Sequence, residues 1–236
     1  MKYSVKLIAA MVLALAAGNA MAVNDKADVK VTGKIVPPAC VPVVTGGAVF
    51  DFGTTKAASL KQDALNYLGE KGLKFSITCD SPTKIAFRTT DLRNGSAISV
   101  SDMKLLSRPT TSDMKLYGLG TEGGKKIGSF AMVIGGSERK IDTGDGVLIT
   151  ALDGIRSMDN GKTWGLFSDN GKKGDIYLDN NNSLTSFSAS GTLEPLSVKT
   201  ISASLWIGVA LNKGSELDLT KANHLDGMAS IQVVYL

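Results

Sequence analysis

Cys40 and Cys79 are the only cysteines in the chain. Their chemistry depends on compartment, because an oxidising one joins them and a reducing one leaves two thiols. The chain opens with Lys2 and Lys6, continues through an apolar run from Leu7 to Ala17, and then presents the small-residue cleavage pattern Ala20-Met21-Ala22. This is the form of an export signal, so residues 1–22 are expected to be removed, the mature chain to begin at Val23, and the pair to form a structural disulfide. A redox or metal role fits poorly: there is no C-x-x-C, and the single histidine, His224, is distant. Closing a loop of about forty residues removes roughly 4 kcal/mol of unfolded-state entropy in the chain-entropy model.

Other patterns test for catalysis. Ser157-Met158-Asp159-Asn160-Gly161-Lys162-Thr163-Trp164 matches the S-x-D-x-G-x-T-W Asp-box of sialidase propellers. There the box is a hairpin device: the carboxylate caps the turn, glycine takes the positive φ, and tryptophan packs beneath. Propellers repeat it on several blades and this chain carries it once, so a stabilised hairpin is expected and no sugar chemistry. Ser81–Lys84, Ser101–Lys104 and Ser112–Lys115 have S-x-x-K spacing, and Ser168-Asp169-Asn170 supplies S-D-N, but no K-T-G follows. Two of those pairs belong to one repeated pentapeptide, Ser101–Leu105 and Ser112–Leu116, which reads as two arms of a hairpin around Pro109. Asp142-Thr143-Gly144-Asp145-Gly146 lacks the full spacing of a calcium loop and reads as a turn. With no G-x-S-x-G elbow, phosphate loop or histidine cluster, the expectation is no enzyme, no cofactor and no metal.

Composition points the same way. The chain has 26 Lys and Arg against 22 Asp and Glu, and removing Lys2 and Lys6 leaves 24 against 22, a balance that steers no partner strongly. Lys125-Lys126 and Lys172-Lys173 follow glycines and have no interleaved aromatics, which suits loop tips and not nucleic acid. Beyond the leader there is no run of about 18 apolar residues, so no membrane span is expected in the mature chain. The remaining 214 of 236 residues suffice for one domain, residues 23–236.

The elements that must position these residues are strands. Val29, Val31, Gly33 and Ile35 alternate with Lys30, Thr32 and Lys34, and Pro37-Pro38 ends the run. Further strands are expected at Val49–Phe52, Phe75–Cys79, Ile85–Phe87, Ile127–Ile134, Val147–Leu152, Ile176–Leu178, Phe187–Thr192, Ser202–Leu211 and Ser230–Leu236. Roughly ten short strands in one domain indicate an all-β sandwich. Leu60, Ala64, Leu65 and Leu68 have helical spacing and leave room for one short helix.

Gly33-Lys34-Ile35-Val36-Pro37-Pro38-Ala39-Cys40 resembles the opening of bacterial chaperone-usher pilins. Phe52-Gly53 with Ala57-Ala58-Ser59-Leu60 resembles their second-strand block, and Phe75-Ser76-Ile77-Thr78-Cys79 the strand carrying the second cysteine. The ending Gln232-Val233-Val234-Tyr235-Leu236 has the penultimate tyrosine that pilin chaperones dock. More narrowly, Cys40–Gly47 and Tyr117-Gly118-Leu119-Gly120 resemble fimbrial-like exported proteins of unassigned function, a group that includes the periplasmic product associated with the glutamate synthase operon.

The resemblance implies an immunoglobulin-like, pilin-like β-sandwich lacking its last strand. A periplasmic pilus chaperone fills the open edge, and a segment of another fimbrial subunit, assembled at an usher, replaces it by strand addition. Ile231, Val233 and Tyr235, on one face of the final strand, are then the surface a partner recognises, in the periplasm or in a fimbria at the cell surface. Three features depart from the pattern. Asn223 stands where pilins have a glycine, Val23–Asp28 carries Asp25, Lys26 and Asp28, and the chain is longer than a simple pilin. The alternative is a monomeric periplasmic binding or regulatory module with a complete sandwich, and a more distant one is a glycan-active enzyme suggested by the Asp-box.

Overall fold

Backbone amides in short β-branched runs are satisfied by pairing sideways, and the computed structural model shows them doing so in two main sheets that share one strand and in two small hairpins. It describes residues 29–36, 39–100, 115–167, 174–180 and 182–236, with the backbone of 104–105 and 108–109. The chain divides into two units, residues 1–36 and 37–236. The expected signal, Val23–Asp28 and Pro37-Pro38 lie outside the described residues. In the first unit, residues 29–36 form no strand, and Val29, Val31 and Ile35 are 87, 91 and 101% exposed. Alternation prepares a segment for pairing but supplies no ladder until an edge meets it.

The second unit carries strands β1 (Cys40–Val44), β2 (Asn66–Asp91), β3 (Gly128–Asp142), β4 (Leu152–Ser157), β5 (Gly165–Leu166), β6 (Ile176–Leu178), β7 (Leu184–Ala189), β8 (Ser197–Leu211) and β9 (Ala229–Tyr235), with further two-residue strands between them. The expected strands around Phe75 and Ile85 are one continuous strand, β2, which crosses from one sheet to the other near Pro82. Its first half lies between β1 and β8, and β3 and β6 extend that sheet. Its second half pairs with β9 and, at Phe87, with β7, and β4 and β5 extend the second sheet.

The two sheets enclose one core. Phe75 and Ile77 from the first meet Ile85, Phe87, Leu152 and Phe187 from the second, and the Phe75 and Phe87 rings stand edge to face at 5.9 Å. Fully burying an aromatic or branched side chain of this kind contributes about 1.5–3 kcal/mol. A second apolar cluster, with Val133, Phe167 and Tyr177, covers the outer face of the first sheet.

Three expectations change. Leu60, Ala64, Leu65 and Leu68 form no helix; a single 3-10 turn, Ala57–Ser59, precedes them. Asn66 Oδ1 accepts the Lys61 N–H at 2.7 Å and its Nδ2 donates to the Ala64 and Asn212 carbonyls, so side-chain bonds replace the helical ladder. Val49–Phe52 is irregular, although Phe50 and Phe52 still pack on the core. The hairpin near Pro109 turns between Leu105 and Arg108, with Pro109 in its second arm opposite Lys104, and residues 112–114 lie outside the described residues.

Cys40 and Cys79 are bonded, directly opposite each other in the β1–β2 ladder. Cys40 stands at the start of β1, whereas Cys79 lies inside β2 and not at the end of a strand Phe75–Cys79. Replacing both with serine should lower the free energy of unfolding by about 4 kcal/mol in the chain-entropy model, measured by denaturant titration, and unreduced wild-type protein should show no alkylatable thiol.

Candidate interaction edge

β9 reads Ala229-Ser230-Ile231-Gln232-Val233-Val234-Tyr235, without a charge or a proline. It pairs along its length with the second half of β2, from Ala229 opposite Asp91 to Tyr235 opposite Ile85, and its other edge is unpaired among the described residues. Period-two alternation sends Ala229, Ile231 and Val233 inward, where they rest half-buried on the core, while Ser230 and Gln232 are exposed. An uncharged, proline-free open edge is a template for another strand.

β1 flanks the same open side. It pairs only with the first half of β2 among the described residues, and it carries Pro42, which cannot donate to a ladder. Val44, Phe50 and Phe52 sit half-buried on the core there, with the Lys71 ammonium 5.4 Å from the Phe52 ring centroid. Of the two edges, β9 alone presents an uninterrupted row of donors and acceptors.

Tyr235 joins them. Its side chain is 43% exposed, and its hydroxyl accepts the Cys40 N–H at 2.9 Å, while the next amide, Leu236 N–H, donates to the Lys84 carbonyl at 3.1 Å. The expected partner residues Ile231, Val233 and Tyr235 therefore share a strand face but differ in surroundings. The first two pack on the core, and the third ties the C-terminal strand to the disulfide strand.

The Asp-box forms the connection between β4 and β5. Asp159 accepts the Thr163 hydroxyl at 2.6 Å, the Thr163 N–H at 2.9 Å and the Ser157 hydroxyl at 2.7 Å. The Thr163 hydroxyl, above all, holds the Asp159 carboxyl well below the usual carboxylate range, with the Thr163 N–H and Ser157 adding to it. Asn160 and Gly161 take φ of 59° and 88°, and Trp164 Nε1 donates to the Gly161 carbonyl at 3.1 Å. These bonds of Ser157, Asp159, Thr163 and Trp164 all stay within the box's own turn.

The remaining sequence candidates are not brought together. Lys84 of the Ser81–Lys84 pair is bonded to Glu194, and the other two S-x-x-K pairs and the S-D-N lie wholly or partly outside the described residues. In the Asp142–Gly146 turn, Asp142 accepts the Gly144 N–H and Asp145 accepts the Thr143 hydroxyl and the Val147 N–H. His224 is exposed, and no group of three metal-ligating side chains occurs among the described residues. The sequence reading missed Phe50 and Phe52 as core-lining residues of the open side, and Arg88, whose guanidinium donates to Asn160 Oδ1 of the Asp-box at 2.8 Å, a link no spacing announces.

Two changes test this geometry. Tyr235→Phe should lower stability by about 1 kcal/mol through loss of the bond to Cys40, read by denaturant titration. Asp159→Ala should lower the melting temperature at pH 7 by about 2–4 °C. Because the folded value of Asp159 is depressed, its contribution is complete above the ordinary carboxylate range and is lost as pH falls through that depressed value. The melting difference between wild type and Asp159→Ala should stay constant from neutral pH down to about 5 and narrow only in stronger acid.

Residues 29–131 match a family described as a protein of unknown function (DUF1120). Two proteins of Escherichia coli (strain K12) are similar over most of the chain. Protein GltF is 32% identical over 250 residues, covering 95% of this chain and 94% of its own. Uncharacterized protein YhcF is 27% identical over 225 residues, covering 89% of each. No solved structure matches.

Proposed function

We propose a function on one premise: the chain belongs to the family of Protein GltF. It is an exported, fimbrial-like interaction protein whose β9 edge accepts a strand, first from a periplasmic pilus chaperone and then from a neighbouring fimbrial subunit. The unpaired, uncharged edge of β9, with Ala229, Ile231 and Val233 half-buried beneath it, is the observation that carries this reading. Main-chain bonds along the edge would give affinity, and the apolar row would give register. The disulfide suits an oxidising compartment, here the periplasm, and among the described residues no helix is long and apolar enough to cross a membrane.

The donor that a neighbouring subunit would offer is its residues 29–36. Val29, Val31 and Ile35 fall on one side of an extended chain and Lys30, Thr32 and Lys34 on the other, so the apolar side can enter while the ammoniums stay in water. The charges of Asp25, Lys26 and Asp28, which would oppose insertion, lie outside that stretch. The role is binding, without catalysis. A second reading, a self-contained monomeric module, draws support from the Tyr235–Cys40 bond, which already ties the two edges at one end.

Ile231→Asp and Val233→Asp each place a carboxylate against the core and should reduce co-purification with a pilus chaperone from a periplasmic extract by roughly tenfold or more, with export unchanged. Wild-type protein that accumulates alone as a stable monomer and shows no affinity for the chaperone would favour the monomeric module instead.

A further inference from the structure

The Asp-box is unused by the strand-accepting reading, yet it reaches the acceptor strand. A Cβ built on Gly161 would lie 3.3 Å from Leu236 Cδ2 and 3.6 Å from Leu184 Cδ1, so the turn rests on the last residue of the chain and on β7. Beside it, Arg88 Nη2 donates to Asn160 Oδ1 at 2.8 Å. Arg88 stands directly opposite Gln232 in the β2–β9 ladder. Among the described residues Asn160 is the only side-chain partner of that guanidinium, and Arg88 Nε is buried without one. Losing Asn160 Oδ1 therefore leaves the half-buried Arg88 side chain without its side-chain acceptor.

Tyr235 and Leu236 point to opposite faces of the second sheet, as neighbours on a strand must. Tyr235 is held by the Cys40 amide on one side, and Leu236 meets Gly161 on the other. We infer that the Asp-box hairpin is a clamp on the C-terminal end of β9, with Asn160 and Gly161 as positioning residues that fix the register at which the edge meets a partner. The clamp itself rests on these contacts, and its consequence for binding rests on the strand-accepting reading.

Asn160→Gly tests it cleanly, because glycine adopts φ of 59° without strain and removes only the side chain. Asn160→Asp keeps an acceptor for Arg88 and serves as the rescue. Hydrogen exchange of the full mature protein, followed by mass spectrometry, should show residues 229–236 exchanging roughly tenfold faster in Asn160→Gly, with β3 unchanged and Asn160→Asp close to wild type. Chaperone co-purification should fall in Asn160→Gly and recover in Asn160→Asp. Unchanged exchange at 229–236, or acceleration shared equally by β3, overturns the clamp. Accelerated exchange confined to 229–236 in a protein whose wild type binds no chaperone supports the clamp and overturns the strand-accepting reading, so the two fail separately.

Discussion

One strand belongs to both sheets, and the rest of the unit is arranged around it. β2 runs for 26 residues, with its first half in the ladder with β1 and β8 and its second half in the ladder with β9 and β7. Because side chains alternate within each half, Phe75 and Ile77 point into the core from one sheet and Ile85 and Phe87 from the other. A one-residue slip in either half would turn that set outward, so the crossing near Pro82 sets the register of both sheets together. The disulfide fixes β1 to the first half at the crossing, and Tyr235 fixes β9 to β1 at the same place. The open side of the sandwich thus has one closed end and one strand, β9, whose outer edge is chemically complete.

How much of this could be read beforehand depended on range. Strands with a buried face announce themselves by period two, and Ile176–Leu178 was found with its own boundaries. Ser202–Leu211 and Ser230–Leu236 were found within a few residues of β8 and β9. The cysteine pair was legible because two cysteines behind an expected export signal have one simple outcome, and the structure shows the bond. Val29–Ile35 shows the limit. Its alternation is as regular as that of β9, and nothing local distinguishes a segment that has an edge from one that lacks it. The helical spacing at Leu60–Leu68 failed for a similar reason, since the Asn66 amide reaches a carbonyl at Asn212, far along the chain.

Buried charge was the least legible part. Asp179 is buried against Arg156 at 3.1 Å and accepts the Ser183 hydroxyl, and Asp175 meets Arg139 at 2.5 Å and accepts the Gly136 N–H. Asp153 is buried beside the Gly191 N–H, and Asp91 accepts the N–H groups of Arg93 and Gly118. In sequence these are ordinary surface residue types, and only Asp153 and Asp175 among them adjoin a glycine. Packing shows why glycine faces Asp175 across the fold: a Cβ on Gly135 would lie 2.1 Å from Asp175 Oδ1, and one on Gly154 2.5 Å from the Asp175 carbonyl oxygen. Such pairs contribute little net stability when intact, but removing one partner leaves an uncompensated charge, so they hold the long connections to the sheets in one arrangement.

The pairing of β9 with β2 also sets an order of events. The two strands meet across more than half of the chain, from Asp91 to Ala229, and the ladder cannot form until the last seven-residue strand has been made. Contacts of such long range close slowly, because the entropy of the intervening chain is lost before any bond repays it. The second half of β2, with Ile85 and Phe87 on its apolar face, is therefore complete long before its outer neighbour exists. In folding, that flank stays bare until β9 reaches it, and β9 alone decides when the flank is covered.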